Sequence, residues 1–177
     1  LKTDIDVLLC GRIEQRKGSR SIPGLCQDLI VGKPNIRIAI VGYGDDDIWL
    51  KAALEGMQKN VEFVGKVSFG DMITYYQRSC VYVSTSYYEG LPGTCLEAMS
   101  MCLPVVVWDF PFYRGVVDNG QTGFLTPPED RLLMVDRVLR LLGDRKLANA
   151  MGKRGRALVE REYSWEILSD ILFREYY

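Results

Sequence analysis

The sequence predicts an α/β domain built on a doubly wound parallel sheet, and two observations lead to this prediction. Short runs rich in β-branched and other apolar residues recur along the chain, which is typical of strands covered on both faces. Segments with the helical spacing of apolar residues separate these runs, so strand and helix alternate. Such sheets bind ligands beyond the carboxyl ends of their strands. The loops that follow the strands are therefore where a functional site is expected.

Five apolar runs are predicted to be the strands. They cover residues 5–9, 36–41, 61–64, 81–84 and 104–108. The segment between the first two, residues 19–33, should be a crossover helix, but Pro23-Gly24 interrupts its pattern.

Clearer helical patterns follow the second and third strands. The first of these helices carries its apolar residues on one face: Leu50, Ala53, Leu54 and Met57. The three aspartates at residues 45–47 suit the N-terminus of that helix. Ser68 and Asp71 resemble a capping box that opens a helix through Tyr76.

Toward the C-terminus the pattern is helical throughout. After Pro127-Pro128 the apolar residues of one helix share a face, namely Val135, Val138, Leu139 and Leu142, and Gly143 ends it. A second helix is predicted at about residues 145–160, and a third begins near Ser164 and runs to the C-terminus.

The composition fits one ordinary domain over residues 1–177. The net charge is −1, so nucleic acid is not expected as a partner. No apolar run reaches the length of a membrane span and no signal peptide opens the chain, so we expect a cytoplasmic location, or one at the cytoplasmic face of a membrane. The chain opens with Leu1 instead of Met, which suggests a piece of a longer protein.

Cysteine and histidine usage excludes several kinds of chemistry. The 5 cysteines contain no C-x-x-C pair, and we interpret them as small buried hydrophobic residues of a reducing compartment. Histidine is absent, which removes the usual catalytic triads, the common zinc sites and an imidazole general base.

The loop after the first strand, residues 11–18, is a candidate anion site. Arg12 and Lys17 could converge on an anion, while Gly11 and Gly18 let the backbone approach a ligand closely. Taken alone, the loop also fits a solvated basic turn, which is the more common meaning of such a sequence.

The loop after the second strand contains Gly42-Tyr43-Gly44 followed by the three aspartates. A third glycine is missing, and the aspartates would repel a pyrophosphate, so a dinucleotide-binding fingerprint is not expected. A tight turn that approaches a ligand through its backbone is favoured. The aspartates could hold Mg²⁺, but a helix-start cluster is the more ordinary reading.

The loop after the fourth strand places Glu89 before a helix and Glu97 one turn inside it. Pro92 suits the first helical position, which leaves the N–H groups of Gly93, Thr94 and Cys95 free to bind an anion. Either glutamate alone could simply cap the helix. Together they frame a phosphate site, where carboxylates can accept hydrogen bonds from sugar hydroxyls.

These loops in combination resemble the retaining glycosyltransferases of family 4. Residues 89–97, E-G-L-P-G-T-C-L-E, have the E-x7-E spacing of that family, and E-A-M-S-M-C-L-P-V-V resembles its usual continuation. Residues 11–18 look like its G-R…K-G loop. I-V-G-Y-G, F-V-G-K-V, N-G-Q-T-G-F-L-T-P-P and Y-S-W-E follow in the expected order. The resemblance covers nearly the whole chain.

The resemblance implies a GT-B architecture, in which two Rossmann-like domains face each other across a cleft. The chain would be the C-terminal domain that binds the nucleotide-sugar donor, and the N-terminal domain, absent from this chain, would supply most acceptor contacts. The apolar surface left facing that absent domain favours weak self-association of the isolated chain.

The resemblance also implies roles for individual residues. Arg12 and Lys17 would bind the donor diphosphate, and Glu89 would contact the donor sugar, so these three are the candidate catalytic residues. Glu97 would hold the ribose hydroxyls. Further substrate contacts would come from Gly11, Gly42, Val64, Gly90, Leu91, Pro92, Gly93 and Thr94. The nucleobase would lie near residues 64–68 and 42–44. Pro92 stands where many members have glycine.

The implied reaction transfers a hexose, with a slight preference for GDP-mannose as donor, to a glycan or lipid-linked acceptor. The nucleotide sugar is a substrate, and neither a cofactor nor a metal is required. Two alternatives stay open: an inactive module that binds nucleotides or sugar phosphates, and another GT-B enzyme such as a sugar-nucleotide epimerase. The absence of histidine counts against the epimerase.

Overall fold

The observed sheet is parallel throughout and has one strand more than predicted. The computed structural model describes residues 3–164. Its strands are β1 Ile5–Arg12, β2 Ile38–Tyr43, β3 Val61–Gly65, β4 Ser79–Ser84, β5 Val105–Trp108 and β6 Gly123–Thr126. They lie in the order β3-β2-β1-β4-β5-β6, and every pair is parallel. The order reverses between β1 and β4, so a crevice opens there at the carboxyl ends of the strands.

Helices cover both faces of this sheet. They are α1 Ile22–Gly32, α2 Asp47–Ala53, α3 Phe69–Arg78, α4 Gly93–Ser100, α5 Pro111–Arg114, α6 Arg131–Gly143 and α7 Arg145–Glu162. Neighbouring residues of β1 face opposite sides: Leu9 packs in one buried cluster with Leu25 of α1, and Leu8 in another with Met99 of α4. Two separate cores therefore confirm the doubly wound architecture.

Strand β6 and helix α1 correct two predictions. Residues 123–126 escaped prediction because turn signals bracket only four residues, yet they pair with β5 at the edge of the sheet. Pro23 does not interrupt α1; it lies in the first turn of that helix. Its missing N–H breaks no helical hydrogen bond at that position, so Pro23-Gly24 opens the helix.

Several element boundaries also differ from the sequence prediction. Strand β1 extends to Arg12, so Gly11 and Arg12 belong to the strand and not to the following loop. Helix α2 ends at Ala53, before the predicted face is complete. The N-cap of α3 is confirmed, because Ser68 Oγ accepts a hydrogen bond from the Asp71 amide at 3.1 Å. The helix predicted to begin near Ser164 falls on residues 165–177, which lie outside the described residues.

The cysteines are free throughout residues 3–164, which contain all of them. Cys26 and Cys95 are buried as expected, whereas Cys10, Cys80 and Cys102 are only partly buried. No helix in this part of the chain has both the length and the apolar character that crossing a bilayer requires.

The segment after β1 makes a close backbone contact with the segment after β4 at Gly18. Gly18 has a φ of +77°, and a Cβ there would lie 1.9 Å from the carbonyl oxygen of Thr85. The Thr85 hydroxyl donates a hydrogen bond to the Gly18 carbonyl at 3.1 Å, and the Tyr87 amide donates to the Arg16 carbonyl at 3.0 Å. The loops after β1 and β4 are therefore held together as one unit.

Replacing Gly18 by alanine should destabilise the protein more than the same change at Gly120. Both glycines have nearly the same φ, +77° and +78°, but a Cβ at Gly120 meets nothing within 4 Å. Gly120→Ala should cost about 1 to 2 kcal/mol of unfolding free energy because of its backbone conformation alone. Gly18→Ala should cost about 1 to 3 kcal/mol more, because the loops must move apart. Urea unfolding measures both, and equal losses would mean that the contact with Thr85 carries no stability.

Candidate functional site

A cleft of about 310 Å³ lies at the carboxyl ends of β1 and β4, at the switch point of the sheet. Its walls are the ends of those two strands, the loops that follow them and the first turn of α4. Among its lining residues are seven that the sequence selected: Gly11, Arg12, Lys17, Glu89, Gly93, Thr94 and Glu97.

Lys17 and Glu89 form an ion pair inside this cleft, although 72 positions separate them in the sequence. The Lys17 ammonium donates to a Glu89 carboxylate oxygen, and the two side chains are only 22% and 13% exposed. An anion entering the cleft would compete with Glu89 for Lys17. The pair thus supplies a cation that can exchange one negative partner for another.

Arg12 is more exposed than Lys17, and its guanidinium lies 5.6 Å from the centre of the Tyr43 ring. Its guanidinium is 3.9 Å from Glu14, and its side chain is 51% exposed. Glu14 also accepts a hydrogen bond from Arg16 at 2.8 Å, which raises the pKa of Arg16. The sequence pattern did not identify Glu14; its position between two arginines was the available signal.

The N-terminus of α4 offers fewer free amides than the sequence predicted. Pro92 is the N-cap and not the first helical residue. The Gly93 amide donates to the Leu91 carbonyl at 2.8 Å, and the Cys95 amide donates to the Pro92 carbonyl at 3.0 Å. Only Thr94 of the three expected donors has no backbone carbonyl partner within the described residues. Within the described residues, the N-terminus of α4 therefore offers an anion one of the three predicted amide donors, that of Thr94.

Glu97 lines the cleft from α4, where it is exposed to solvent, and it accepts a hydrogen bond from a tyrosine of another element. The Tyr76 hydroxyl of α3 donates a hydrogen bond to Glu97 Oε2 at 2.8 Å, and it is 3.2 Å from the sulfur of Cys10. Burial raises the pKa of Tyr76 far above its usual value and raises the pKa of Cys10 to about 12. Both groups therefore stay protonated near neutral pH. The apolar spacing of α3 assigned Tyr76 to the core and gave no sign of this hydroxyl contact.

A second compartment of about 310 Å³ adjoins the cleft and shares Arg12, Thr94 and Glu97 with it. Its outer part is lined mainly by apolar and aromatic side chains, including Tyr43, Val67 and Phe69. Such a surface suits a flat, weakly polar group.

Gly42 lies near the end of β2, not in the following loop as the sequence suggested, and it shapes this second compartment. A Cβ on Gly42 would lie 1.8 Å from the Gly11 carbonyl oxygen, so this glycine lets the ends of β1 and β2 meet closely. Lys66, from the loop after β3, lies over the Tyr43 ring at 4.9 Å. The compartment thus carries a positive charge at its rim.

Four residues selected from the sequence do not line either space: Val64, Gly90, Leu91 and Pro92. Val64 lies on β3 and packs against the buried cluster on the α3 side of the sheet. The other three lie in the loop between Glu89 and α4, where Leu91 is 57% exposed.

Two of the three aspartates at residues 45–47 accept hydrogen bonds from other residues. Asp46 accepts hydrogen bonds from Ser19 and, at 2.8 Å, from Arg20, while Asp47 accepts from the Gly44 amide at 2.8 Å. Across residues 3–164, no three acidic or cysteine side chains are grouped so that they could hold a metal ion.

Known proteins are similar to this chain in sequence. The chain is 29% identical over 174 residues to a GDP-mannose-dependent monoacylated alpha-(1-6)-phosphatidylinositol monomannoside mannosyltransferase of Corynebacterium glutamicum, covering 94% of this chain and 45% of the relative. It is 26% identical over 172 residues to a phosphatidyl-myo-inositol mannosyltransferase of Mycobacterium leprae, covering 96% of this chain and 46% of the relative. The chain thus spans about half the length of these relatives.

Solved structures agree on the fold. A variant of the S. aureus protein TarM, solved with UDP, fondaparinux and alpha-GlcNAc-glycerol, superposes with a TM-score of 0.89 at 23% identity, over 97% of this chain and 35% of that one. This likeness confirms the Rossmann-like fold found in GT-B glycosyltransferases. The family model for glycosyl transferases group 1 matches residues 1–158. The chain therefore belongs to the group 1 glycosyl transferases.

Proposed function

We propose that the chain is the C-terminal, donor-binding half of a retaining glycosyltransferase of family 4. In this proposal it binds a nucleotide sugar, and the complete enzyme transfers the hexose to a glycan or lipid-linked acceptor. The supporting observation is the convergence of two cations, Arg12 and Lys17, and two carboxylates, Glu89 and Glu97, in one cleft at the switch point. That mixture suits a ligand with both phosphates and hydroxyl groups.

The diphosphate is assigned to the basic side of the cleft. Lys17 and Arg12 supply the positive charge, and the free Thr94 amide at the start of α4 adds one aligned donor. As the diphosphate enters, it displaces Glu89 from Lys17. Glu89 is then free to accept hydrogen bonds from the hydroxyl groups of the donor sugar.

The nucleoside is assigned to the side of the cleft formed by Glu97 and the adjoining compartment. Glu97 accepts hydrogen bonds from the ribose hydroxyls, and the base occupies the adjoining compartment beside Tyr43. The name of the C. glutamicum relative gives GDP-mannose as its donor, and the S. aureus structure contains UDP. We favour GDP-mannose for this chain because two relatives of similar sequence are mannosyltransferases.

The chemical step would depend on charge at the leaving group. As the bond between the sugar C1 and the phosphate oxygen loosens, negative charge grows on the departing diphosphate, and the acceptor attacks from the same face. Arg12, Lys17 and the Thr94 amide oppose that charge from positions that are set beforehand, which lowers the barrier. No cofactor or metal enters this account, since the nucleotide sugar itself is the substrate.

Removing either cation should weaken the binding of nucleoside diphosphates. Arg12→Ala should cost about 1 to 3 kcal/mol of binding free energy, the range for hydrogen bonds to charged groups. Lys17→Ala should cost more than Arg12→Ala, because it also leaves the Glu89 carboxylate unneutralised beside the phosphates. Calorimetric titration with UDP and with GDP measures both effects.

Lys33→Ala is the matched control for these two variants, since Lys33 pairs with Asp6 at the opposite end of the sheet. It should bind as the parent does. If Arg12→Ala and Lys17→Ala also bind as tightly as the parent, the diphosphate does not lie on this loop.

Substitutions of Glu89 and Glu97 should differ in their effects on nucleotide binding and on sugar transfer. Glu97→Gln should weaken binding of UDP or GDP, because its proposed partner is the ribose. Glu89→Gln should not weaken binding of the bare nucleotide, since its carboxylate is displaced by the diphosphate, but it should lower the turnover of the complete enzyme. Calorimetry on this chain and a transfer assay on the complete enzyme test the division, and equal losses of nucleotide affinity would refute it.

The chain by itself should bind nucleotide but transfer no sugar. Its sheet is covered on both faces, so it can fold alone. Transfer also needs an acceptor hydroxyl held near C1 and water kept away from the loosened sugar, and one wall of a cleft supplies neither. Mass spectrometry of mixtures with GDP-mannose, UDP-glucose and assorted acceptors is the measurement. Multiple turnovers by this chain alone would contradict the proposal.

A further inference from the structure

Tyr76 places a hydroxyl group against Glu97, the proposed partner of the ribose. The residue lies on α3 and is only 3% exposed. Its hydroxyl oxygen is 2.8 Å from Glu97 Oε2, 3.2 Å from Cys10 Sγ and 3.4 Å from the Thr94 carbonyl oxygen. Three elements, β1, α3 and α4, therefore meet at one buried hydroxyl.

The protons in this group have one consistent arrangement. A phenol has one proton to donate, and a carboxylate can only accept, so Tyr76 donates to Glu97. The Tyr76 oxygen then accepts the proton of the Cys10 thiol. The Thr94 carbonyl is farther away and does not compete for the phenol proton. The raised pKa values of Cys10 and Tyr76 keep both protons in place.

We propose that Tyr76 is a positioning residue that turns Glu97 toward the ribose. Its hydrogen bond occupies Oε2 and restricts the carboxylate, which leaves Oε1 to accept from the two ribose hydroxyls. The inference rests on the proposed function, because it takes the ribose as the partner of Glu97. Fixing the carboxylate beforehand removes part of the conformational entropy that binding would otherwise cost.

The test compares nucleotides that have the ribose hydroxyls with nucleotides that lack them. The parent and Tyr76→Phe are titrated with UDP, GDP and their 2′,3′-dideoxy counterparts. Tyr76→Phe should weaken binding of the hydroxyl-bearing nucleotides about fivefold, the effect of one hydrogen bond, and leave dideoxy binding unchanged. A purely structural role would weaken all of them alike.

A double-mutant cycle asks whether Tyr76 acts through Glu97. In a Glu97→Gln background, Tyr76→Phe should lose most of its effect on UDP and GDP, because the carboxylate that it orients is gone. An undiminished effect in that background would overturn the inference.

Tyr113→Phe is the matched control. Tyr113 is also a buried tyrosine, 1% exposed, but its hydroxyl donates to Ser84 and not to Glu97. This variant should leave the preference for hydroxyl-bearing over dideoxy nucleotides unchanged. A change as large as that of Tyr76→Phe would show that any buried hydroxyl near the sheet has this effect, and the positioning role would fall.

Cys10→Ala keeps the inference testable if Tyr76→Phe does not fold. This variant removes the thiol that donates to Tyr76, so it should reduce the ribose preference in the same direction by a smaller factor. An unchanged preference in a folded Cys10→Ala variant would contradict the proposed series of hydrogen bonds from Cys10 to Tyr76 and from Tyr76 to Glu97. A parent that binds hydroxyl-bearing and dideoxy nucleotides equally would instead refute the ribose assignment, and this inference with it.

Discussion

The arrangement of the cleft depends on the close approach of two backbones, at Gly18 and Thr85. A Cβ at Gly18 would lie 1.9 Å from the Thr85 carbonyl oxygen, so only glycine allows this contact. Because the loops after β1 and β4 touch there, Lys17 comes within bonding distance of Glu89 although the two residues belong to different βα units. The same contact lies beside the crevice where the strand order reverses. Without this contact, the segment after β1 would not be held as closely against the segment that leads into α4.

Both cations of the cleft have a carboxylate nearby before any ligand binds. Lys17 is paired with Glu89, Arg12 lies near Glu14, and Glu97 accepts a hydrogen bond from a neutral tyrosine. A bound diphosphate would gain the attraction of the cations but would also have to displace a partly buried carboxylate. The net affinity is therefore a difference between two electrostatic terms, and it should be modest. In the proposed function, that exchange links occupation of the phosphate site to release of the sugar-binding glutamate.

Much of this could be predicted from the sequence, because strand-end loops carry recognisable residues. Arg12, Lys17, Glu89 and Glu97 were all identified, since a parallel sheet brings the ends of its strands to one edge. Strand β6 was missed because its four residues carry too little periodicity. The role of Tyr76 could not be seen, since its apolar spacing on α3 is that of a core residue and its hydrogen bonds cross three elements. The sequence also could not predict that the Gly93 and Cys95 amides bond to nearby backbone carbonyls at the start of α4, because such contacts depend on backbone geometry and not on residue type.

The central claim is that the cleft between β1 and β4 is the nucleotide site. The most direct measurement is an NMR titration of this chain with UDP and with GDP, following the backbone amide shifts. The account predicts that the backbone amide chemical shifts of residues 11–18, 66–69 and 93–97 change when the nucleotide is added. A separate, larger cavity of about 750 Å³ lies at the opposite end of the sheet, near Asp6, Lys33 and Arg145. Changes centred on that cavity, with the β1 and β4 loops unaffected, would contradict the account.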